Sequence, residues 1–186
     1  MSIQVVHLCK TFSELSEPFI YDHVTELHRQ GVGSHVVTNR RANVDERPYE
    51  NVDVVPWPAD WHPHRVAYRL LESVGIERHL SSSWRHLWPG ATDVVDRLSP
   101  DVLHAHFGRS GVKAVPIADA LGCPLVVTFY GYDVSRLPRE RAWREAYRDI
   151  WDTADTIVGI SSHICERLID LGAPPDNVQK VSLGID

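Results

Sequence analysis

No apolar run in this sequence approaches the roughly 20 residues that a membrane-spanning helix needs. The start also lacks the basic flank, long apolar stretch and small-residue cleavage site of a secretory leader, and Ile3 to Leu8 opens directly as a strand pattern. Cysteine is scarce. Cys9, Cys123 and Cys165 are too scattered for a disulfide framework, and each sits where a small buried side chain would serve. These absences predict a reducing, cytoplasmic setting. Positive surplus is missing as well: the formal net charge is −6 with both signs interspersed, which excludes the global basic field that favours nucleic acid. The Gly-x-Gly-x-x-Gly fingerprint is absent after the first strand, so no dinucleotide cofactor is expected.

What is present suffices for one sizeable core, since 43% of the 186 residues are hydrophobic. Residues 3–8 read as a strand, 10–17 as a polar loop, and Pro18 opens a helix with Ile20, Val24 and Leu27 at helical spacing before Gly31. β-Branched runs predict strands over 34–38 and 52–56. Residues 91–98 read as a helix, 101–105 as a strand, 110–121 as a helix that Pro116 should limit or kink, and 124–128 as a strand. Trp143, Tyr147, Ile150, Trp151 and Ala154 mark the clearest amphipathic helix. A strand over 155–160, a helix capped by Ser161 or Ser162, and a strand over 177–183 complete the pattern. Strands separated by helices predict an α/β fold, a Rossmann-like doubly wound and mostly parallel sheet. Ligands of such sheets sit beyond the carboxyl ends of the strands, at the loops beginning at Cys9, Thr38, His106, Phe129 and Ser161.

Four of these loops carry two readings each. Residues 11–17 either contact a ligand or cap the following helix with hydroxyls. His104 and His106, two apart, share one face of a strand. Zinc usually takes three or four protein ligands, and no further His or Cys lies at ligand spacing nearby, so no metal is expected. Tyr130-Gly131-Tyr132-Asp133 follows a buried strand, and its glycine permits a tight turn with amides close to a ligand. The alternative is a structural turn in which Asp133 caps the next segment. Ser161 reads first as an N-cap and second as part of an anion site. Residues 57–90 break the rhythm: Trp57, Trp61, Trp84 and Trp88 interleave with Arg65, Arg69, Arg78 and Arg85. That composition suits a membrane interface or a sugar-stacking groove, and equally a cover for the core or a domain interface.

Several segments in register resemble the N-terminal domain of family-4 glycosyltransferases, retaining enzymes of GT-B architecture. Residues 12–20 are similar to the Ser-Glu-Thr-Phe-Ile signature of the branch that builds exopolysaccharides such as colanic acid. Residues 31–38 resemble the family's Gly-His-x-Val strand entry. Asp101-Val-Leu-His-Ala-His106 resembles Asp-Val-(Ile/Leu)-His-x-His, and residues 124–133 resemble Pro-x-Val-x-Thr-x-His-Gly-x-Asp. Residues 154–161 and 181–186 follow in the family's order. Tyr130 stands where the family usually has His. With an ordinary pKa near ~10 it can donate a hydrogen bond but is a poor base.

The resemblance implies Tyr130 and Asp133 as catalytic residues, and Ser13, Glu14, Ser16, Glu17, His106, Phe107, Gly108, Gly131 and Ser161 as substrate-binding. It implies transfer of a hexose-type unit from a nucleotide-diphosphate sugar to a glycan or lipid-linked saccharide, with no metal and no cofactor held by this chain. Residues 1–183 would be the acceptor-side domain, with an insertion at about 57–90, and 184–186 the start of an interdomain linker. The donor-binding domain, absent from the sequence, would be supplied in cis or in trans. The isolated chain is then expected to be inactive, and residues 57–90 would bring the enzyme to the inner face of the membrane. A non-catalytic binding or assembly module, or a subunit completed by a separate donor-binding chain, is the rival reading. A flavodoxin-like receiver is disfavoured because no clustered acidic pocket follows the first strand.

Overall fold

The computed structural model describes residues 2–57, 63–73 and 87–184. Trp61, Arg78, Trp84, Arg85, Ile185, Asp186 and the side chain of Arg65 lie outside the described residues. The β-branched runs pair into one seven-stranded sheet in which every neighbour is parallel. Its strands are β1 (Gln4–Phe12), β2 (Gly33–Arg41), β3 (Val52–Val54), β4 (Val102–His106), β5 (Leu125–Phe129), β6 (Thr156–Gly159) and β7 (Val178–Lys180). The order β3-β2-β1-β4-β5-β6-β7 reverses direction between β1 and β4. That reversal is the topological switch point, where open α/β sheets leave a crevice for ligands. The Rossmann-like α/β architecture expected from the alternation of strands and helices is the one observed.

The two faces of the sheet differ chemically. Partners across a parallel ladder share a face, and neighbours along a strand alternate. Leu103 pairs with Leu125 and Ala105 with Val127, giving a dry apolar face. Against it pack α3 (Ala91–Leu98), α4 (Gly108–Leu121) and α6 (Arg141–Thr153), through Val95, Val112, Val115, Tyr147 and Ile150. α4 approaches closely at Gly111, where a β-carbon would lie 2.8 Å from Val127 Cγ1 and 2.9 Å from Ile150 Cδ1. On the opposite face His7 pairs with His104 and His106 with Thr128. α1 (Pro18–Arg29) covers that side, burying Ile20 and Val24 and laying His23 against the imidazoles.

Several boundaries move from their sequence-based positions. β1 runs on to Phe12, because Thr11 and Phe12 pair with Arg40 and Arg41, so the first loop shrinks to residues 13–17. The polar Lys10 and Thr11 hid this extension. Pro116 does not end its helix: α4 continues through it to Leu121, with Val115, Ile117 and Ala118 buried around it. The loss of one backbone hydrogen bond is outweighed there by packing, each buried aliphatic side chain contributing about 1.5–3 kcal/mol. At both ends of residues 57–90 the chain packs on the core. Trp88 is buried in the core and donates through Nε1 to the Val55 carbonyl at 2.9 Å, with Trp57 edge-on beside it. For these two tryptophans the core-covering reading is the observed one. The same stretch contains α2 (Pro63–Ser73), on which Val66 and Leu70 are exposed. Between α4 and α6 lies the single turn α5 (Tyr132–Ser135), and α7 (Ser162–Asp170) follows β6.

Candidate functional site

At the switch point both adjacent strands end in a left-handed residue that is not glycine: Ser13 after β1, at φ 65°, and Phe107 after β4, at φ 69°. Such conformations are disfavoured by of order 1–3 kcal/mol and persist where surrounding contacts over-determine them. The Ser13 carbonyl accepts from Asn43 Nδ2 at 2.8 Å, Arg47 donates to the Glu14 carbonyl at 3.1 Å, and Arg40 pairs with the Glu14 carboxylate at 2.9 Å. Side chains from β2 and the loop after it thus hold the loop after β1. Ser13 itself is buried, and its hydroxyl has no hydrogen-bond partner among the described residues.

Phe107 is held by Asp133. Fully buried, the Asp133 carboxylate accepts from the Gly131 amide at 2.8 Å, the Tyr130 amide at 3.1 Å and the Gly108 amide at 3.1 Å. One side chain therefore joins the loop after β5 to the start of α4. Burial raises its pKa above the usual carboxylate range, while the three amides pull the other way. Gly131, at φ 142°, makes the turn that only glycine adopts without strain. Both carboxylate oxygens of Asp133 accept backbone amides, the contacts of a structural turn, and they position the loop after β5.

Tyr130 is the turn's outward product. Its ring stacks on Phe19 with centroids 4.5 Å apart and tilts against Phe107 at 4.6 Å, forming an aromatic shelf at the mouth of the switch point. Its hydroxyl lies 2.7 Å from Nδ1 of His106. Burial pushes the phenol above its ordinary value, so it stays protonated. His106 was expected at the loop in contact with substrate; it is instead fully buried, and its Nε2 lies 3.2 Å from Nδ1 of His7. His104 Nε2 lies 2.8 Å from Thr128 Oγ1. Beside the shelf opens a polar cleft of about 270 Å³, lined by Lys10, Thr11, Glu14, Ser16, Glu17, Asn39 and Arg40. Burial, with Glu14 nearby, raises the pKa of Glu17.

The structure thus gathers Glu14, Ser16 and Glu17 in one cleft, and Phe107, Gly108, Tyr130, Gly131 and Asp133 around the neighbouring turn. Ser161 stands apart at the end of β6, where its hydroxyl accepts from the Ile164 amide at 3.2 Å as the N-cap of α7. Sequence reasoning missed Phe19 and the supporting Asn43 and Arg47. It also missed that His7 and His23, far off in sequence, join His104 and His106. The inference from spacing that no further His lies nearby is overturned, because pairing of β1 with β4 and docking of α1 bring them there. The alternation of His7 with Cys9 on a strand was the one available signal.

Two outcomes follow from these contacts. Asp133→Ala leaves three amides without their acceptor and should cost about 3 kcal/mol or more, whereas Asp133→Asn keeps one acceptor oxygen and should cost less. Urea denaturation of both variants checks this, and equal stability of wild type and Asp133→Ala would refute the clamp. Burial, reinforced by neighbouring imidazoles, holds His7 and His106 well below the ordinary imidazole value of about 6.5 and lowers His104 to about 3. Native protein then binds fewer protons than unfolded chain below that value, so the stabilisation is present above about pH 6.5 and lost as pH falls towards the folded pKa values. In chelator-treated protein, stability should drop by more than about 2 kcal/mol between pH 6.5 and 5, each buried imidazole adding up to about 1.4 kcal/mol per pH unit. A flat denaturation midpoint over that interval would contradict it.

Known structures and sequences place this geometry in context. The crystal structure of Anabaena HepE with UDP and glucose superposes with a TM-score of 0.68 at 14% identity, covering 99% of this chain and 45% of HepE. UDP-N-acetylglucosamine 2-epimerase of Rickettsia bellii superposes at 0.62 with 13% identity, over 98% of this chain and 45% of the epimerase. At such identities the likeness is one of fold alone, and the fold serves proteins of different activity. In sequence, the chain is 28% identical over 88 residues to WcaL of Salmonella typhimurium, a protein named as a colanic acid biosynthesis glycosyltransferase. That alignment spans 46% of this chain and 22% of WcaL, so the chain matches only part of its relatives' length. The family model of the glycosyl transferase 4-like domain matches residues 16–184, from the cleft loop to the end of the sheet, and the chain belongs to that family.

Proposed function

We propose that this domain is the acceptor-side half of a glycosyltransferase that moves a hexose-type unit from a nucleotide-diphosphate sugar to a glycan or lipid-linked saccharide, with retained configuration. The observation that carries the reading is the aromatic shelf of Phe19, Phe107 and Tyr130 beside a carboxylate-bearing cleft at the switch point of a glycosyl transferase 4-like domain. Aromatic faces pack on sugar rings, and carboxylates accept hydrogen bonds from sugar hydroxyls. Glu14 and Glu17 would repel a diphosphate, which favours acceptor over donor on this side. Lys10 and Arg40 face the same cleft and suit the edge nearest the departing phosphate. With His106 donating to its oxygen, protonated Tyr130 donates a hydrogen bond to a substrate oxygen and does not act as the base. Glycosyl transfer of this type needs no metal or cofactor from the domain. A donor-binding domain, in cis or in trans, completes the catalytic pair.

The test is acceptor-dependent release of nucleoside diphosphate by the full-length protein carrying this domain, across a panel of nucleotide hexoses and saccharide acceptors. Tyr130→Phe should lower kcat/KM about tenfold with the donor KM unchanged, as expected for one hydrogen bond to substrate. Unchanged kinetics would assign the turn to scaffolding, and absence of acceptor-dependent turnover throughout would overturn the function.

Peripheral contact with the inner membrane face belongs to the same proposal. Among the described residues no helix is long and apolar enough to cross a membrane. α2 nonetheless exposes Val66 and Leu70 one turn apart, an apolar edge of the kind that rests at a headgroup boundary. Flotation on vesicles containing anionic lipid should fall in a Val66→Asp, Leu70→Asp double variant; flotation absent in the wild type would remove the membrane contact.

A further inference from the structure

We propose that His7, His23 and His104 form a binding site for one divalent transition-metal ion of the zinc class, between the sheet and α1. One ring nitrogen from each of the three lies within 4.8 Å of the other two. A tetrahedral ion with bonds of about 2.0–2.1 Å holds its nitrogens about 3.4 Å apart, so the rings close by up to about 1.4 Å on binding. His23 supplies that movement. It is solvent-exposed at the edge of the α1–sheet contact, its ring edge-on to His7 at 5.7 Å and to His104 at 5.3 Å between centroids.

A second observation, independent of the clustering, points to a ligand. His7 is fully buried, yet its Nε2 has no hydrogen-bond partner among the described residues. An unpaired buried polar nitrogen costs about 1–3 kcal/mol, and a metal bond removes that cost. The rings are also oriented as ligands are. His7 Nδ1 is engaged by His106 and His104 Nε2 by Thr128, the outer contacts that fix the orientation of metal-binding imidazoles. Three imidazoles favour Zn²⁺, Ni²⁺ or Cu²⁺ over the oxygen-seeking Mg²⁺ and Ca²⁺, and leave a fourth position for water at the solvent side marked by His23.

Metal at His7 Nε2 also orders the protons outward. His7 then carries hydrogen on Nδ1 and donates to His106 Nε2, so His106 carries hydrogen on Nδ1 and donates to the Tyr130 oxygen. The Tyr130 hydrogen is left free for a ligand. The site stands on its own geometry and does not depend on glycosyl transfer.

The experiment is titration of the full chain, first stripped with chelator, with Zn²⁺ and separately with Mg²⁺, followed by calorimetry and by nitrogen-15 spectra of the imidazoles. Wild type should bind one Zn²⁺ with His7 protonated at Nδ1, and should not bind Mg²⁺ at the same concentration. His23→Ala, a change at the helix surface that leaves the sheet intact, should weaken Zn²⁺ binding at least about tenfold. His28→Ala, elsewhere on α1, should bind as wild type does. No Zn²⁺ binding by wild type, equal binding by His23→Ala, or equal weakening by His28→Ala would each overturn the site.

Discussion

The carboxylate of Asp133 is the constraint on which the site depends. Among the described residues it is buried without a cationic partner, and its ionised form is held by amides contributed from two separate loops. Burying a charge is unfavourable unless hydrogen bonds replace the lost water, so the geometry of those loops is coupled to the carboxylate. Two further features follow from the clamp. Phe107 is kept in a left-handed conformation at the head of α4, and Tyr130 is turned back so that its hydroxyl reaches His106. The hydroxyl of Tyr147 completes the arrangement by donating to the Asp133 backbone carbonyl at 2.9 Å. Core packing of α6 and positioning of the turn are thereby one structure.

How much of this was legible beforehand divides along physical lines. Strand and helix succession depends on local periodicity, and it was read correctly for every strand in the described sheet. Where Thr11 and Phe12 extend β1, partner strands decide, and the hydropathy of Lys10 misled. Pro116 shows tertiary packing overriding a local rule. The turn at Tyr130 to Asp133 was identifiable because glycine after a buried strand has a local meaning, yet which amides Asp133 would engage was not. Gly108 lies 25 positions away and reaches it only through the pairing of β4 with β5.

The histidines illustrate the same limit more sharply. A strand residue advertises its own face but not its neighbour on the next strand. His104 and His106 declared one face by their spacing; His7 entered through the register of β1, and His23 through the docking of α1. The sequence pattern of β1 is correspondingly unusual for a central strand of a parallel sheet, which is normally apolar on both sides. Val6 and Leu8 serve the dry face, while His7 takes a position that an aliphatic side chain would fill with less desolvation cost. A core position occupied at such cost marks a constraint other than stability.

Tyr130 is where that constraint reaches the cleft. An imidazole at this position would offer either a donor or an acceptor, depending on its protonation. A phenol whose pKa is raised by burial has one hydrogen and can send it in only one of two directions. If His106 accepts that hydrogen, Tyr130 meets a ligand as an acceptor; if His106 donates, Tyr130 meets it as a donor. The choice is set by the tautomer of His7, through the 3.2 Å contact of His7 with His106 and the 2.7 Å contact of His106 with Tyr130. A half-buried phenol at this position therefore leaves the selection of hydrogen-bond polarity to the sheet, at the fully buried His7.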